Sequence, residues 1–430
     1  MLSQRIQRWS SSAAVVFALA QSALAGVWLV DDDGGPGVNF TDIQSAVLAA
    51  APGDVLLVAP GNYVSTCVDI DKPLRILGTG ADPYEVFVSC YTTPVRIHDV
   101  AGNDPVVLAN LSGQDTMVVQ DCDAPVLLLD IALPVTARTS PDVRVHRIRT
   151  PIKVPASVEA DFGTRLEAVD CVFQGKQAKA IKTCAGLSGS KGGPGVSVTS
   201  SRVHLSHCSS TGGQGGSVSC IVFGDEYAGD GGAGINLNVA SMVFCGLPGD
   251  VVAGGLGGDF VGSLACGYEG VRGPGLAVLF SSTAQYSDVR FTGGSGGAPC
   301  GNTWVGPAIH EVGTVTLQQV TPAQPVLELL GTPGPGTTVT LRTHAPPGAA
   351  VTLFLGRHAL VQPEPGIEVE QLCERQRVRS LGIAVEGEPL DHVLFLPAWM
   401  TPGTCLFAQV QVQLPTGERF NTNSIPLLAR

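Results

Sequence analysis

Charged side chains make up only 14% of this 430-residue chain and aromatic ones only 6%. Basic residues are the scarcer sign, 25 Lys and Arg against 37 Asp and Glu, for a formal net charge of −12. That deficit argues against nucleic acid, whose phosphates need a basic surface. It also disfavours a purely electrostatic grip on acidic polysaccharides unless a bound cation inverts the local sign. After the N-terminal segment no apolar run is long enough for a transmembrane helix. There is no CxxC, and the nearest His pair, His204 and His207 in HLSH, would point to opposite faces of a strand, so zinc has no ligand set and both are expected as surface or partly packed residues. No Cys/His spacing singles out a nucleophilic thiol. Helical periodicity is missing from all but one short stretch.

What is present points to an all-β protein. Hydrophobic residues reach 44%, and 54 Gly and 30 Pro supply turns between short aliphatic runs. Residues 1–25 read as a secretory signal peptide: Arg5 and Arg8 form its charged start, Ala13 to Ala20 its apolar centre, and Ala23-Leu24-Ala25 its cleavage site. The expected location is therefore secreted, or extracytoplasmic at the cell surface.

From Trp28 to Gly80 a short strand and an acidic turn lead into one amphipathic helix, followed by strand after strand. Thr41-Asp42-Ile43-Gln44 has the form of a capping box, and Phe40, Ile43, Val47 and Leu48 fall on one helical face. That face is expected to close the open end of a stack of strands. Between Lys191 and Gly297 the chain repeats itself: Gly195, Gly234 and Gly275 open similar units 39 and 41 residues apart, each running into a Gly-rich excursion within residues 185–300. A fixed period signals stacked units that bury their edges against one another. The glycines are expected to serve corners that need φ > 0. Thr321 to Pro325 reads as a linker, and 326–430, with longer alternating strands, as a separate small β-sandwich.

Twelve cysteines in an exported chain permit six disulfides. Cys122, Cys171, Cys208 and Cys245 each follow a strand, at separations of 49, 37 and 37, and are expected to stack inward as small hydrophobes. Cys67 with Cys90 and Cys373 with Cys405 are expected as local pairs, and Cys184, Cys220, Cys266 and Cys300 as staples of the Gly-rich loops.

The segment FTDIQSAVLAAAPGDVLLVAPGNY, followed by IDKPLRILG, resembles the opening of secreted right-handed parallel β-helix proteins of the pectin-lyase-like superfamily. The resemblance implies such a β-helix over 26–321 with an N-terminal helical cap. Gln114-Asp115-Thr116 matches a short pectinesterase motif, but its companion motifs are missing from the solenoid, as is the polygalacturonase-type set of paired aspartates. The leading expectation is thus a carbohydrate-binding, cell-surface or structural role, with a polysaccharide or cell-envelope component as partner. The alternative is a calcium-assisted polysaccharide lyase, which needs a carboxylate-held cation and a basic residue near the acidic proton. For that chemistry the candidates are Asp225, Glu226 and Asp230 in one loop and Asp259, Glu269 and Arg272 in the next. The Asp31-Asp32-Asp33 run reads as a charged edge and turn.

Overall fold

A computed structural model describes residues 25–64, 67–90, 95–114, 116–148, 157–179, 189–220, 228–262, 270–294, 305–321, 323–357, 359–362, 371–373 and 375–429, the side chains of 219–220, 260–262, 359–362 and 371–373 excepted. The leader at 1–24, together with Cys184, Asp225, Glu226, Cys266, Glu269 and Cys300, lies outside the described residues, and Cys220 and Cys373 are described in backbone only.

Short aliphatic strands pair in parallel with the strand one coil on. Among the described residues this generates a thirteen-stranded and a nine-stranded sheet, with a third, four-stranded sheet beside the later coils. The molecule is all-β in long stacked parallel sheets, an arrangement consistent with a parallel β-helix. Register keeps like on like: Leu56, Ile76, Leu108, Leu128, Val145, Ala168, Leu205 and Phe244 form one unbroken inward column. Such columns fill a single core running through the stack. A coil is short at first, so that Arg147 reaches Asp130 only 17 residues back, and long later, where Asp230 meets Val271 at a separation of 41.

At the start, Ile43–Ala49 is helical and buries Ile43, Ala46 and Val47 in that core. Its N-cap is Asp42, one residue later than the capping box implied, and the Asp42 carboxylate accepts from Ser45 N at 2.8 Å. Gln44 is thereby free to accept from Asp69 N at 2.7 Å, tying the helix to the coils. Leu48 is 71% exposed, outside the expected apolar face. The Cys67–Cys90 disulfide is formed. No helix among the described residues is long and apolar enough to cross a membrane.

Corners and excursions reverse the expectation for glycine. Two corner rows take left-handed backbone, and mostly non-glycine residues occupy them: Asp99, Asp121, Thr139, Phe162, Ser200, Val239 and Phe280 in one, which ends on Gly313, and Asn110, Asp130, Arg147, Asp170 and His207 in the other. Each corner amide keeps the ladder going, as Phe162 N to Thr199 O (3.1 Å) and Asp170 N to Ser206 O (3.1 Å) illustrate. The next residue often turns its side chain back on a carbonyl. Cys122, Cys171, Cys208, Ser140 and Ser201 all bond the backbone oxygen two residues earlier, at 2.9–3.3 Å. This shared geometry explains the recurring Asp-Cys and His-Cys pairs. The four thiols do not form one column, however. Cys122 turns one corner, Cys171 and Cys208 turn the other, and Cys245 lies within Ser241–Cys245, level with Ser206.

None of the described arm glycines between Gly175 and Gly234 or between Gly254 and Gly306 has positive φ. They pack backbone on backbone, in a ladder from Gly193 N to Lys176 O through Gly213, Gly232, Gly255, Gly273 and Gly294, every bond 2.7–2.9 Å. A Cβ on Gly215 would fall 1.8 Å from the carbonyl oxygen of Gly229, and one on Gly232 would fall 2.0 Å from that of Gly193. Glycines recur three apart (213 and 216, 229 and 232, 255 and 258, 270 and 273). That is the repeat of an extended threefold helix, whose backbone has no internal hydrogen bonds and bonds its neighbours instead.

Described residues after 325 form three antiparallel sheets, and the three- and four-stranded ones enclose a second core. They pack on the outer face of the thirteen-stranded sheet, where Phe354, Phe407 and Leu428 meet Val55, Leu77, Val107, Leu127 and Leu129. Farther along, the same outer column turns ionic. Arg144 holds Asp142 in a two-pronged pair, each bond 2.8 Å. Ser424 N and Oγ donate to Glu167 at 2.7 and 3.0 Å. Burial pushes the Glu167 carboxyl up, against the pull of Arg144 and Arg165. The expected linker is also packed, since Gln324 is buried and accepts from Cys245 Sγ at 2.8 Å.

If the arms are close-packed backbone, alanine should discriminate among their glycines. Gly215→Ala is expected to cost about 1–3 kcal/mol, whereas Gly193→Ala, whose nearest non-neighbouring atom would lie at 3.3 Å, should cost under about 1 kcal/mol. Urea unfolding of both variants reads the difference.

Candidate functional site

Of the predicted acidic site, Asp230, Asp259 and Arg272 are among the described residues. Asp230 gives one carboxylate oxygen to Val271 N at 2.8 Å, which staples adjacent arms. Asp259 lies at the edge of the short Phe260–Gly262 strand, its amide on Ser217 Oγ at 3.1 Å, and Arg272 is buried. Asp31, Asp32 and Asp33 form the one described group of three such side chains close enough to share an ion. Two of them are already engaged, Asp31 accepting from Asp33 N within the turn at 3.1 Å and Asp32 from Asn62 N on the Gly61–Val64 strand at 2.8 Å. Cys405 is a free thiol, so the expected bridge to Cys373 is not formed. His204, expected near the surface, is buried beside Cys245 (3.4 Å), and burial pushes its imidazole down to about 3.

A different feature stands out on the corner row that follows the nine-stranded sheet. Phe162, Val239 and Phe280 are 64%, 52% and 54% exposed, with φ of 53°, 51° and 41°. Left-handed backbone costs an ordinary L-residue roughly 1–2 kcal/mol, and for a β-branched residue it is an outlier. Exposing the same side chains forgoes the gain from burying them. The Asp, Thr and Ser at neighbouring corners avoid the second cost, and Asp partly the first.

Beside this row runs an open groove of about 690 Å³. Successive coils supply its wall: Thr164 and Arg165, then Ser200, Ser201 and Arg202, then Val239 and Ser241, then Ser281 and Thr283. Backbone bonds hold these segments level, including Arg202 N to Thr164 O (2.9 Å), Ser241 N to Ser201 O (3.1 Å) and Thr283 N to Ala240 O (2.9 Å). Adjacent coils stand about 4.8 Å apart, so the row repeats at that interval along the stack. Arg165 leans back on Asp142 at 3.3 Å, while Arg202 is exposed. The accessible side chains of this wall are Ser200, Arg202, Ser241, Ser281 and Thr283 with Val239 among them, since Thr164, Ser201 and Arg165 are buried; Phe162 and Phe280 precede the lining residues Gly163 and Ser281 in the chain without lining the groove themselves. The groove can hold an extended molecule with alternating polar and apolar surface. Among its lining residues there is no His, Cys, Asp or Glu to move a proton.

Sequence reading did not find this groove. Its residues come from corners roughly 40 positions apart, and the only signal was a bulky residue where Asp or Ser would suit a turn.

No family model matches the chain. The F-box protein SKIP5 of Arabidopsis thaliana is 48% identical over 62 residues, 14% of this chain and 22% of that protein. The chain therefore spans about a fifth of the curated relative it matches. Among solved structures, a DUF3823 family protein of Bacteroides ovatus shares 17% identity over 31% of this chain and 65% of its own, with a TM-score of 0.20. The enzymatically active domain of bacteriophage CBA120 tailspike protein 4 shares 10% identity over 87% of this chain and 64% of its own, with a TM-score of 0.23.

If Val239 is strained where it stands, removing the strain should stabilise the fold. Val239→Asn is expected to raise stability by about 1 kcal/mol. A thermal melt showing an unchanged or lower midpoint would contradict that reading.

Proposed function

We propose that the chain is an exported right-handed parallel β-helix that binds an extended glycan along the corner groove and does not turn it over. The supporting observation is the row Phe162, Val239 and Phe280, kept exposed in costly backbone on the corners next to the exposed Ser200, Arg202, Ser281 and Thr283. Sugars present hydroxyl edges and apolar C–H faces, and aromatic and aliphatic side chains cover such faces while Ser, Thr and Arg bond the edges. Coil spacing is close to the rise of one sugar ring, so a stack of equivalent corners suits a polymer better than a single small molecule. Solenoids provide extended surfaces of this kind by construction.

In this reading the Ile43–Ala49 helix caps the stack, and the right hand follows the general preference for parallel crossovers. The last hundred or so residues act as a β-sandwich clamped to the side of the rod. The leader at 1–25 directs export, and the natural partner is a polysaccharide or another cell-envelope component. Lyase chemistry is less well supported, because Asp230 is engaged with backbone and Arg272 is buried.

Electrophoresis of the mature chain through gels containing neutral or uronic-acid polysaccharides tests the proposal. At least one polysaccharide should retard the protein, and Phe162→Asn with Phe280→Asn should abolish the retardation without lowering the melting temperature. Free migration in every gel, or retardation undiminished in the double variant, would refute it.

A further inference from the structure

A second concavity, of about 320 Å³, lies where the C-terminal sheets meet the stack, and it is unlike the groove. Its walls come from both units: His146, Arg147, Asp170 and His207 from the corners, Leu327 to Gly331 from the first C-terminal strand. His207 is the hinge of the arrangement. Its Nδ1 bonds Asp250 Oδ1 at 3.1 Å within the stack. Its Nε2 faces Asp170 at 3.9 Å and, across the junction, Glu328 at 3.8 Å. Glu328 is held from its own side by His344 Nε2 at 2.6 Å, and its strand neighbour Arg342 pairs with Asp391 at 2.8 Å.

We propose that His207 and Glu328 form a protonation-controlled latch that fastens the C-terminal sheets to the stack in mildly acidic surroundings and loosens at alkaline pH. With His207 charged, three carboxylates surround one cation, and Glu328 is the one that belongs to the other unit. With His207 neutral, Asp170, Asp250 and Glu328 face each other with only His344 and Arg342 to offset Glu328. The cost then falls on the junction, because Asp250 and Asp170 are fixed to the rod and Glu328 is not. Arg147, whose Nε and Nη2 bond Asp130 at 2.7 and 2.9 Å, offsets part of the Asp170 charge but not that of Glu328.

The titration directions agree with this geometry. The bond to Asp250, with help from Asp170 and Glu328, holds the His207 imidazole above its ordinary value. Its contribution is therefore complete below about 6.5, the unfolded histidine value, and is lost as pH rises through the folded one. The bond to His344 holds Glu328 below the usual carboxyl range. Its contribution is present above about 4.3 and disappears as pH falls through its folded value. The latch is thus closed between those limits. His146 and His204, buried behind the same face and kept neutral by burial, work the opposite way on global stability below about 6.5. A test must therefore read the junction and compare variants.

Hydrogen exchange of the full-length mature chain provides that readout. Rates for the Val326–Leu330 strand, corrected for intrinsic chemistry, should slow at least threefold between pH 8.5 and pH 6. The Ile235–Asn238 strand, remote from the junction, should show no matching change. His207→Gln and Glu328→Gln should each flatten the profile of Val326–Leu330, and the double variant should do no more than either single one. A wild-type profile that is already flat would overturn the latch, as would variants that keep the wild-type slope. If His207→Gln proves unstable, Glu328→Gln alone decides between the two outcomes.

Discussion

Backbone hydrogen bonds from each coil to the next, at a spacing of about 4.8 Å, are the constraint from which the rest of this structure follows. They leave no slack at the corners, so the chain turns there with one left-handed residue, or two in a row at Phe162-Gly163 and Phe280-Ser281, whose first amide stays in the ladder. They leave no room between the excursions, so a residue facing the next arm cannot carry a Cβ. They also place equivalent residues of successive coils directly over one another, and a property at one corner becomes a line of that property along the rod. The groove and the inward aliphatic columns are both products of that stacking.

The glycines show where reasoning from sequence alone goes astray. Their number and period of about 40 residues are legible and lead to the right expectation of stacked units. Their role is not, because glycine serves both φ > 0 and close approach, and composition does not distinguish these. The three-residue spacing inside each arm is the signal that separates them. In the corners the roles are exchanged: Asp, Asn, Ser, Thr and even Phe and Val take the left-handed backbone. The helix starts one residue later than its motif suggests because Thr41 and Asp42 are both good caps, and only the fold decides which faces the first turn. The free thiols do not share a column although each is expected to follow a strand. Cys122, Cys171 and Cys208 each stand two residues past a strand, and the sheet to which that strand belongs decides the corner, while Cys245 ends its strand and joins neither.

Docking of the C-terminal sheets is half visible in the sequence. Val55 to Val58, Val106 to Ala109 and Val126 to Leu129 are apolar without alternation, the pattern of strands covered on both faces. A solenoid standing alone would show polar residues on the outside of these strands. What the sequence does not reveal is the cover, since Phe354, Phe407 and Leu428 come from a unit that has a core of its own. The ionic part of the junction is hidden for a different reason. Arg144 and Glu167 sit in strands with no special motif, and Ser424 is 257 residues from the carboxylate it bonds. Of the predicted acidic site, Asp230 is occupied by the backbone that the stack brings to it, while Asp225, Glu226 and Glu269 lie outside the described residues.

All of this rests on the arms being hydrogen-bonded continuations of the coils and not loose loops. Amide exchange at Gly213, Gly232, Gly255 and Gly273 is the most direct measurement. Sequence composition would make these among the fastest amides in the protein. Arms bonded into the ladder predict protection comparable to that of the neighbouring strands Val196–Thr199 and Ile235–Asn238. Exchange at the rate of unstructured glycine would contradict it.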